Sequence, residues 1–298
     1  MEKTRAVKIF LALGKITPRI GRKAGCGLAA LLFYYLFPRH RLITIHNLYH
    51  AFPDKSLKEI RKLARRVYLH LGVVVAEFFD LPFITKENYR RWVEFEGLNY
   101  FYEAKSAGKG VIASVSHFGN WEMMAVAFAQ AVEPLTIMYR PLDSPLLNEI
   151  VTFVRSYPGN ILLTKEGSMR KALRALYQHK VLCILNDQNV DTREGVFVDF
   201  FGRPACTGTG LATLAMHTGA PILPVFMPRL KSGKYRMIFL PPFTAENTGD
   251  YERDLQVNTQ RVAKILEEMV TKYPDQWLWL HQRWKTKMCQ LDKKDGNR

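Results

Sequence analysis

The chain has 298 residues, 48% of them hydrophobic and 12% aromatic, with a formal net charge of +16. That composition excludes a disordered or low-complexity protein and provides for one large globular core. Four dispersed cysteines (Cys26, Cys183, Cys206, Cys289) with no C-x-x-C pair argue against a disulfide framework or a cysteine zinc site.

The charge is concentrated at the start. Met1 to His70 carries fifteen Lys or Arg against three acids, an excess of +12. The same segment holds the most apolar run, Ala24 to Pro38. Its fifteen uncharged residues fall short of the roughly 20 that span a bilayer. Single-pass spanning would need snorkelling by Arg22, Lys23, Arg39 and Arg41; a monotopic helix in the interface and a buried helix are the alternatives. A secretory signal is disfavoured, because the run begins late and is followed by Phe37-Pro38-Arg39-His40-Arg41 rather than small residues. Residues 1–50 therefore read as a basic, hydrophobic membrane-anchoring segment, 51–290 as the main domain and 291–298 as a polar tail. Basic charge also suits nucleic acid, but no zinc finger, RNP-like pattern or basic-region heptad supports that, and no nucleic-acid partner is expected.

His46 and His50 stand one helical turn apart with no evident third ligand, so no metal is expected. Ser56-Leu57-Lys58-Glu59 is a capping-box pattern and predicts a helix running toward Phe79, apolar nearly all round in its later part. Short apolar runs then alternate with helical patterns. Strands are predicted at 110–115, 135–139, 160–163, 181–185, 222–226 and 235–240, and helices at 121–132, 145–156, 168–178, 210–218 and 251–272. This alternation predicts an α/β fold with a central mixed β-sheet flanked by helices.

Directly after the run Val111 to Val115 stands Ser116-His117-Phe118-Gly119-Asn120-Trp121-Glu122, a histidine and a carboxylate separated by four residues. Imidazole, with a pKa of about 6.5, is suited to removing a hydroxyl proton during attack on a thioester. A carboxylate on its other nitrogen fixes the tautomer and stabilises the imidazolium. His117 is the predicted base and Glu122 its predicted partner, with no protein nucleophile required. Five helical residues rotate a side chain by about 500°, so the two cannot share one face of a continuous helix. His117 is therefore expected on the strand-to-helix turn, with Asn120 or the turn around Gly119 opening the helix. Free N–H groups at that helix start are expected to contribute to an oxyanion hole.

Further along, Arg140 and Arg155 are suited to a lipid phosphate or a phosphopantetheine, or else to surface charge and a structural ion pair. Asp187, in Asn186-Asp187-Gln188 after a strand, either positions substrate and supports the site or caps a turn. Gly195 to Pro204 reads as a compact aromatic turn in which Phe197, Phe200 and Phe201 are core. Gly208-Thr209-Gly210 lacks a third glycine and a convincing preceding strand, which argues against a dinucleotide site. It reads instead as a loop entering a helix, with Gly202 and Arg203 available to an anion. There is no G-x-S-x-G of a serine hydrolase.

Taken together, the chain resembles the late acyltransferases of lipid A biosynthesis, the lauroyl/myristoyl branch of the lysophospholipid acyltransferase group. The resemblance rests on Asn47-Leu48 with Ala51-Phe52-Pro53, on His117 to Glu122, on Tyr139-Arg140-Pro141 and on Val198 to Ala205. It continues through Ala220-Pro221 to the block Pro274 to Lys285. It implies a glycerolipid acyltransferase-like fold, with His117 and Glu122 as the catalytic pair and Arg155 and Asp187 as further functional residues. It also implies transfer of a fatty acyl chain from acyl carrier protein, or acyl-CoA, to a hydroxyl of a lipid A precursor. The reaction needs no cofactor and would take place at the cytoplasmic face of a bacterial inner membrane. Relatives with the same motif acylate phosphatidylinositol mannosides, so another lysolipid or glycolipid acceptor is the alternative, and a non-catalytic lipid-binding protein a further one.

Overall fold

The computed structural model describes residues 4–164 and 167–288. The tail assigned to 291–298, and Cys289, lie outside the described residues. Four helices come first: α1 (Arg5–Ile16), α2 (Arg19–Leu36), α3 (Pro38–Ala51) and α4 (Leu57–Phe78). Next follow β1 (Val93–Glu96), α5 (Leu98–Ser106), β2 (Val111–Val115), α6 (Trp121–Ala131), β3 (Leu135–Met138), α7 (Pro145–Ser156) and β4 (Ile161–Leu163). The chain continues through α8 (Ser168–Tyr177), β5 (Val181–Leu185), β6 (Gly195–Asp199), β7 (Pro204–Gly208), α9 (Gly210–Thr218), β8 (Ile222–Phe226), β9 (Tyr235–Phe239) and α10 (Tyr251–Lys272).

Seven strands form one mixed sheet in the order β1-β9-β8-β2-β5-β3-β4. All neighbours are parallel except β8 and β9. This is the expected α/β architecture. The central strand β2 is buried at every residue, as a parallel strand covered on both faces must be. Its side chains alternate between the layers. Val111, Ala113 and Val115 join the core beneath α5 and α6, whereas Ile112 joins the core made with α8 and α9. A third core is built from α2, α3, α4, α10 and the tryptophans of the final segment.

The six predicted strands and six predicted helices form, with ends shifted by a residue or so. The capping box is present, Ser56 N–H donating to Glu59 Oε2 at 2.9 Å while Ser56 Oγ accepts from Glu59 N–H. Helices α1, α3 and α5, the edge strand β1 and the antiparallel hairpin β6–β7 were not predicted. The hairpin replaces the predicted aromatic turn, because Val196 and Val198 pair across to Thr207 and Ala205. Gly208-Thr209-Gly210 therefore does follow a strand, though one of the hairpin and not of the main sheet. Phe200 is fully buried, and Phe197 and Phe201 are partly buried.

The apolar run at 24–38 lies almost wholly in α2, which packs lengthwise on α4. No helix among the described residues is long and apolar enough to cross a membrane, so the single-pass option finds no support. Two buried carboxylates fasten α2 to the body: Arg22 pairs with Asp80, and Lys23 Nζ lies 2.8 Å from Glu77 Oε1. The helices approach closely at Gly72, where an added Cβ would come within 2.8 Å of the Cys26 carbonyl oxygen. Gly72→Ala is accordingly expected to force the two helices apart and cost about 1–3 kcal/mol, read as a lower midpoint in urea unfolding with an unchanged slope.

Candidate active site

Three parallel strands deliver the site from their carboxyl ends, the place where an open α/β sheet forms its crevice. β2 leads into His117, β5 into Asp187 and β3 into Arg140. His117 stands on the turn between β2 and α6, as expected, and the Asn120 side chain caps α6 by accepting from Met123 N–H at 3.0 Å. The turn is tight. Gly119 has φ +61°, and a Cβ there would lie 1.7 Å from the Met227 carbonyl oxygen, so only glycine fits.

The carboxylate that holds His117 is Asp187, not Glu122. Its Oδ1 lies 2.8 Å from His117 Nδ1, and its Oδ2 accepts from the His117 backbone N–H at 2.9 Å and from Trp277 Nε1–H at 2.8 Å. Burial by itself would push the Asp187 carboxyl up. The His117 imidazole and these three donors outweigh burial and hold it at about 2. An ionised carboxylate only accepts, so Nδ1 carries the proton and Nε2 keeps its lone pair. Burial works against protonating His117, but Asp187 first and Glu122 second raise its pKa above the ordinary value.

Glu122 is instead gripped by Arg155, which donates from Nε to Oε2 at 2.9 Å and from Nη2 to Oε1 at 2.5 Å. Trp121 Nε1–H donates to the same carboxylate at 3.1 Å, and its ring meets His117 edge-on. The physical reason is the chain reversal at Gly119, after which the first turn of α6 directs the Glu122 side chain toward α7, which supplies Arg155. Arg155 thus makes the structural ion pair that its sequence position allowed, through Nε and Nη2, while also lining the cleft. In the turn, Gly119 N–H bonds Gln276 O and Asn120 N–H bonds Met227 O, and at the start of α6 the Asn120 side chain takes Met123 N–H.

His117, Glu122, Arg140 and Arg155 line one cleft of about 430 Å³, whose walls include Val115, Trp121, Met124, Ile137 and Leu185. Arg140 stands at the exposed rim, paired loosely with Asp143 at 3.4 Å. Gly202 and Arg203 do not join this cleft. They form the hairpin turn, where Gly202 N–H bonds Asp199 Oδ1 at 3.1 Å and the Arg203 guanidinium lies over the Trp284 ring. Cys183 does line the cleft, but burial pushes its thiol up to about 12, so at neutral pH it is no thiolate nucleophile.

The sequence reading missed what holds the turn from outside. In the final segment, Leu278 N–H donates to His117 O at 3.0 Å, and Asn47 Nδ2 bonds Trp279 O and His281 O at 3.0 and 2.9 Å. Arg283 is buried, bonds Cys206 O at 2.8 Å and Thr207, and is lowered by that burial to about 10. The dense aromatic block at 274–285 was the visible signal, but nothing in it said which indole would meet which carboxylate. From α4, His70 Nε2 meets Gly119 O at 3.0 Å, and Glu77 receives the Tyr235 hydroxyl at 2.6 Å and Asn120 Nδ2 at 3.3 Å.

A histidine with one nitrogen fixed by a buried carboxylate and the other left for an apolar-walled cleft is a general-base site. Such a site is suited to activating an attacking hydroxyl, as acyl transfer requires. The chain belongs to the bacterial lipid A biosynthesis acyltransferase family, whose family model it matches over residues 5–286. It is 30% identical to the lipid A biosynthesis lauroyltransferase of Escherichia coli (strain K12), over 89% of this chain and 85% of that one. It is 26% identical to the lipid A biosynthesis palmitoleoyltransferase of the same organism, over 84% and 80%. It is also 26% identical to the phosphatidylinositol mannoside acyltransferase of Mycolicibacterium smegmatis (strain ATCC 700084 / mc(2)155), over 70% and 67%.

Asp187→Asn is expected to fold with a lower unfolding midpoint, as three donors lose a charged acceptor, and to lower acyl transfer by about 10⁴-fold, the scale seen when the orienting carboxylate of a triad becomes an amide. Only neutral His117 is a base, so kcat/KM should rise with pH through a value above 6.5 in the native protein. Losing Asp187 removes a carboxylate that raises the His117 pKa, and should move this limb to lower pH. A pH–rate profile of both proteins checks the pair of outcomes.

Proposed function

We propose that this chain transfers a fatty acyl chain from an acyl carrier protein thioester to a hydroxyl of a lipid A precursor. The observation that carries the reading is the His117–Asp187 pair opening on an apolar-walled cleft in a chain matched by the family over nearly its whole length. The acyl chain lies against Val115, Met124, Ile137 and Leu185. As the acceptor hydroxyl attacks the thioester carbon, His117 Nε2 takes its proton, and Asp187 stabilises the imidazolium. The tetrahedral intermediate collapses, the C–S bond breaks, and the imidazolium returns the proton to the leaving thiolate. Protons and electrons balance without a metal or cofactor. Glu122 acts through Arg155: the two fix the cleft wall beside the histidine, and the Glu122 charge helps raise the His117 pKa.

The acidic carrier protein suits the basic surface of the chain. The concentration of cations and exposed apolar side chains in α1–α3 suits a monotopic position on the cytoplasmic face of the inner membrane. A second reading, acylation of a phosphatidylinositol mannoside-like glycolipid, is favoured by the mycobacterial relatives.

The deciding experiment expresses this chain, or His117→Ala, in a lipid A-making host lacking its own secondary acyltransferase and weighs the lipids by mass spectrometry. A lipid A species heavier by one acyl chain, present only with His117 intact, is expected. An acylated product from the His117→Ala protein would overturn the mechanism, and a new acylated glycolipid in place of lipid A would select the second reading. Acyl carrier protein and acyl-CoA thioesters compared as donors to the purified protein identify the donor, with faster turnover of the carrier-protein thioester expected.

A further inference from the structure

On the far side of α4 from Glu77 lies a groove of about 570 Å³ that plays no part in the cleft. It is walled by the end of α2, the first turns of α3 and the start of α4. Four cations line it: Arg41 from α3, and Lys58, Arg61 and Arg65 from α4. Lys58, Arg61 and Arg65 are three and four residues apart and so share one helix face. Among the described residues no carboxylate lines the groove and none of the four cations is bridged to one. The α4 acid nearest in sequence, Glu59, is committed to the Ser56 cap.

Apolar side chains share the groove and continue beyond it. Tyr35, Leu42 and Leu57 line it and are exposed. Along α2, Leu28, Leu32 and Leu36 repeat every fourth residue and are 61, 50 and 68% exposed. They make a stripe of roughly 12 Å that ends where the groove begins. A soluble anion would use the cations and leave the stripe in water, and an acidic protein surface is no better matched to a row of leucines. A phospholipid uses both.

We propose that this groove is a binding site for the phosphate headgroup of an anionic phospholipid of the bilayer, whose acyl chain lies along the leucine stripe of α2. This deepens, and rests on, the reading of a monotopic position at the membrane surface. The lipid bound here is not the acceptor, because no residue of the groove lines the His117 cleft. It holds the α2–α4 side of the protein on the membrane.

The test is flotation of the full chain with phosphatidylcholine vesicles, with and without phosphatidylglycerol. Three double variants are compared, each checked for an unchanged thermal midpoint: Arg61→Gln with Arg65→Gln in the groove, Leu28→Ser with Leu32→Ser on the stripe, and Arg170→Gln with Lys171→Gln on α8. At about fivefold per cation near an anionic surface, the groove variant should lose roughly thirtyfold in partitioning to phosphatidylglycerol vesicles. The stripe variant should also lose partitioning, and the α8 variant should match the native protein. Native chain that ignores both vesicles overturns the membrane reading itself. Native chain that binds, with groove or stripe variants binding equally well, overturns only the site. An equal loss in the α8 variant reduces the effect to general charge and also overturns the site. Should the groove variant keep its vesicle binding but show a higher KM for an acyl carrier protein thioester, the groove serves the carrier protein and the lipid proposal is overturned.

Discussion

The structure depends on keeping one carboxylate charged inside the protein. Asp187 is almost wholly removed from solvent, and an isolated ion there would be strongly disfavoured. Its two oxygens join three parts of the chain: the β2–α6 turn donates through the His117 amide and ring and the final segment through the Trp277 indole, while β5 leads into the carboxylate itself. The charge that orients the base therefore also closes the fold around it. The final segment reinforces this, since Leu278 and Gln276 bond the backbone on either side of Phe118, and Phe118 itself bridges to Trp277.

The identity of that carboxylate was the part of the site hardest to read. His117, its place on a strand-to-helix turn and the Asn120 cap all follow from local pattern: an apolar run, then a polar turn, then a helical period. The choice between Glu122 and Asp187 does not. Glu122 is near in sequence, but the chain turns through Gly119 and α6 then directs its side chain to α7. Asp187 lies seventy residues away, and reaches His117 because β5 pairs in parallel with β2, Val115 against Leu185. Local spacing identifies a base and an acid close together in sequence; only strand order reveals which acid meets the ring. The same limit applies to Arg155, whose partner was two elements away.

Where the pattern was dense it was legible. Six of the seven strands of the sheet read from apolar runs, and the capping box placed the start of α4 to the residue. The β6–β7 hairpin and β1 were not legible because their residues mix polar and apolar side chains, and their stability comes from partners supplied by tertiary contact: Gln256 and Gln260 of α10 bond Phe197 O and Asp199 O of the hairpin, and β1 lies along β9. Helix α5 lies in a stretch, 98–106, with neither a side-chain cap at its start nor a long apolar period.

The N-terminal helices show why charge counted along a sequence differs from charge displayed on a surface. Part of the excess in the first quarter is turned inward, with Arg22 on Asp80 and Lys23 on Glu77. Glu77, 1% exposed, does more than neutralise a lysine. It also accepts from the Tyr235 hydroxyl of β9 and from the Asn120 amide, and the other end of that amide caps α6 three residues after His117. The contacts thus run without a break from α2 through α4 to the turn that carries the base. Removing one partner from such a buried set leaves the others desolvated and unpaired, which costs more than the contact itself contributes. The position of α2 on the body and the geometry of the catalytic turn are therefore constrained together by the same buried carboxylate.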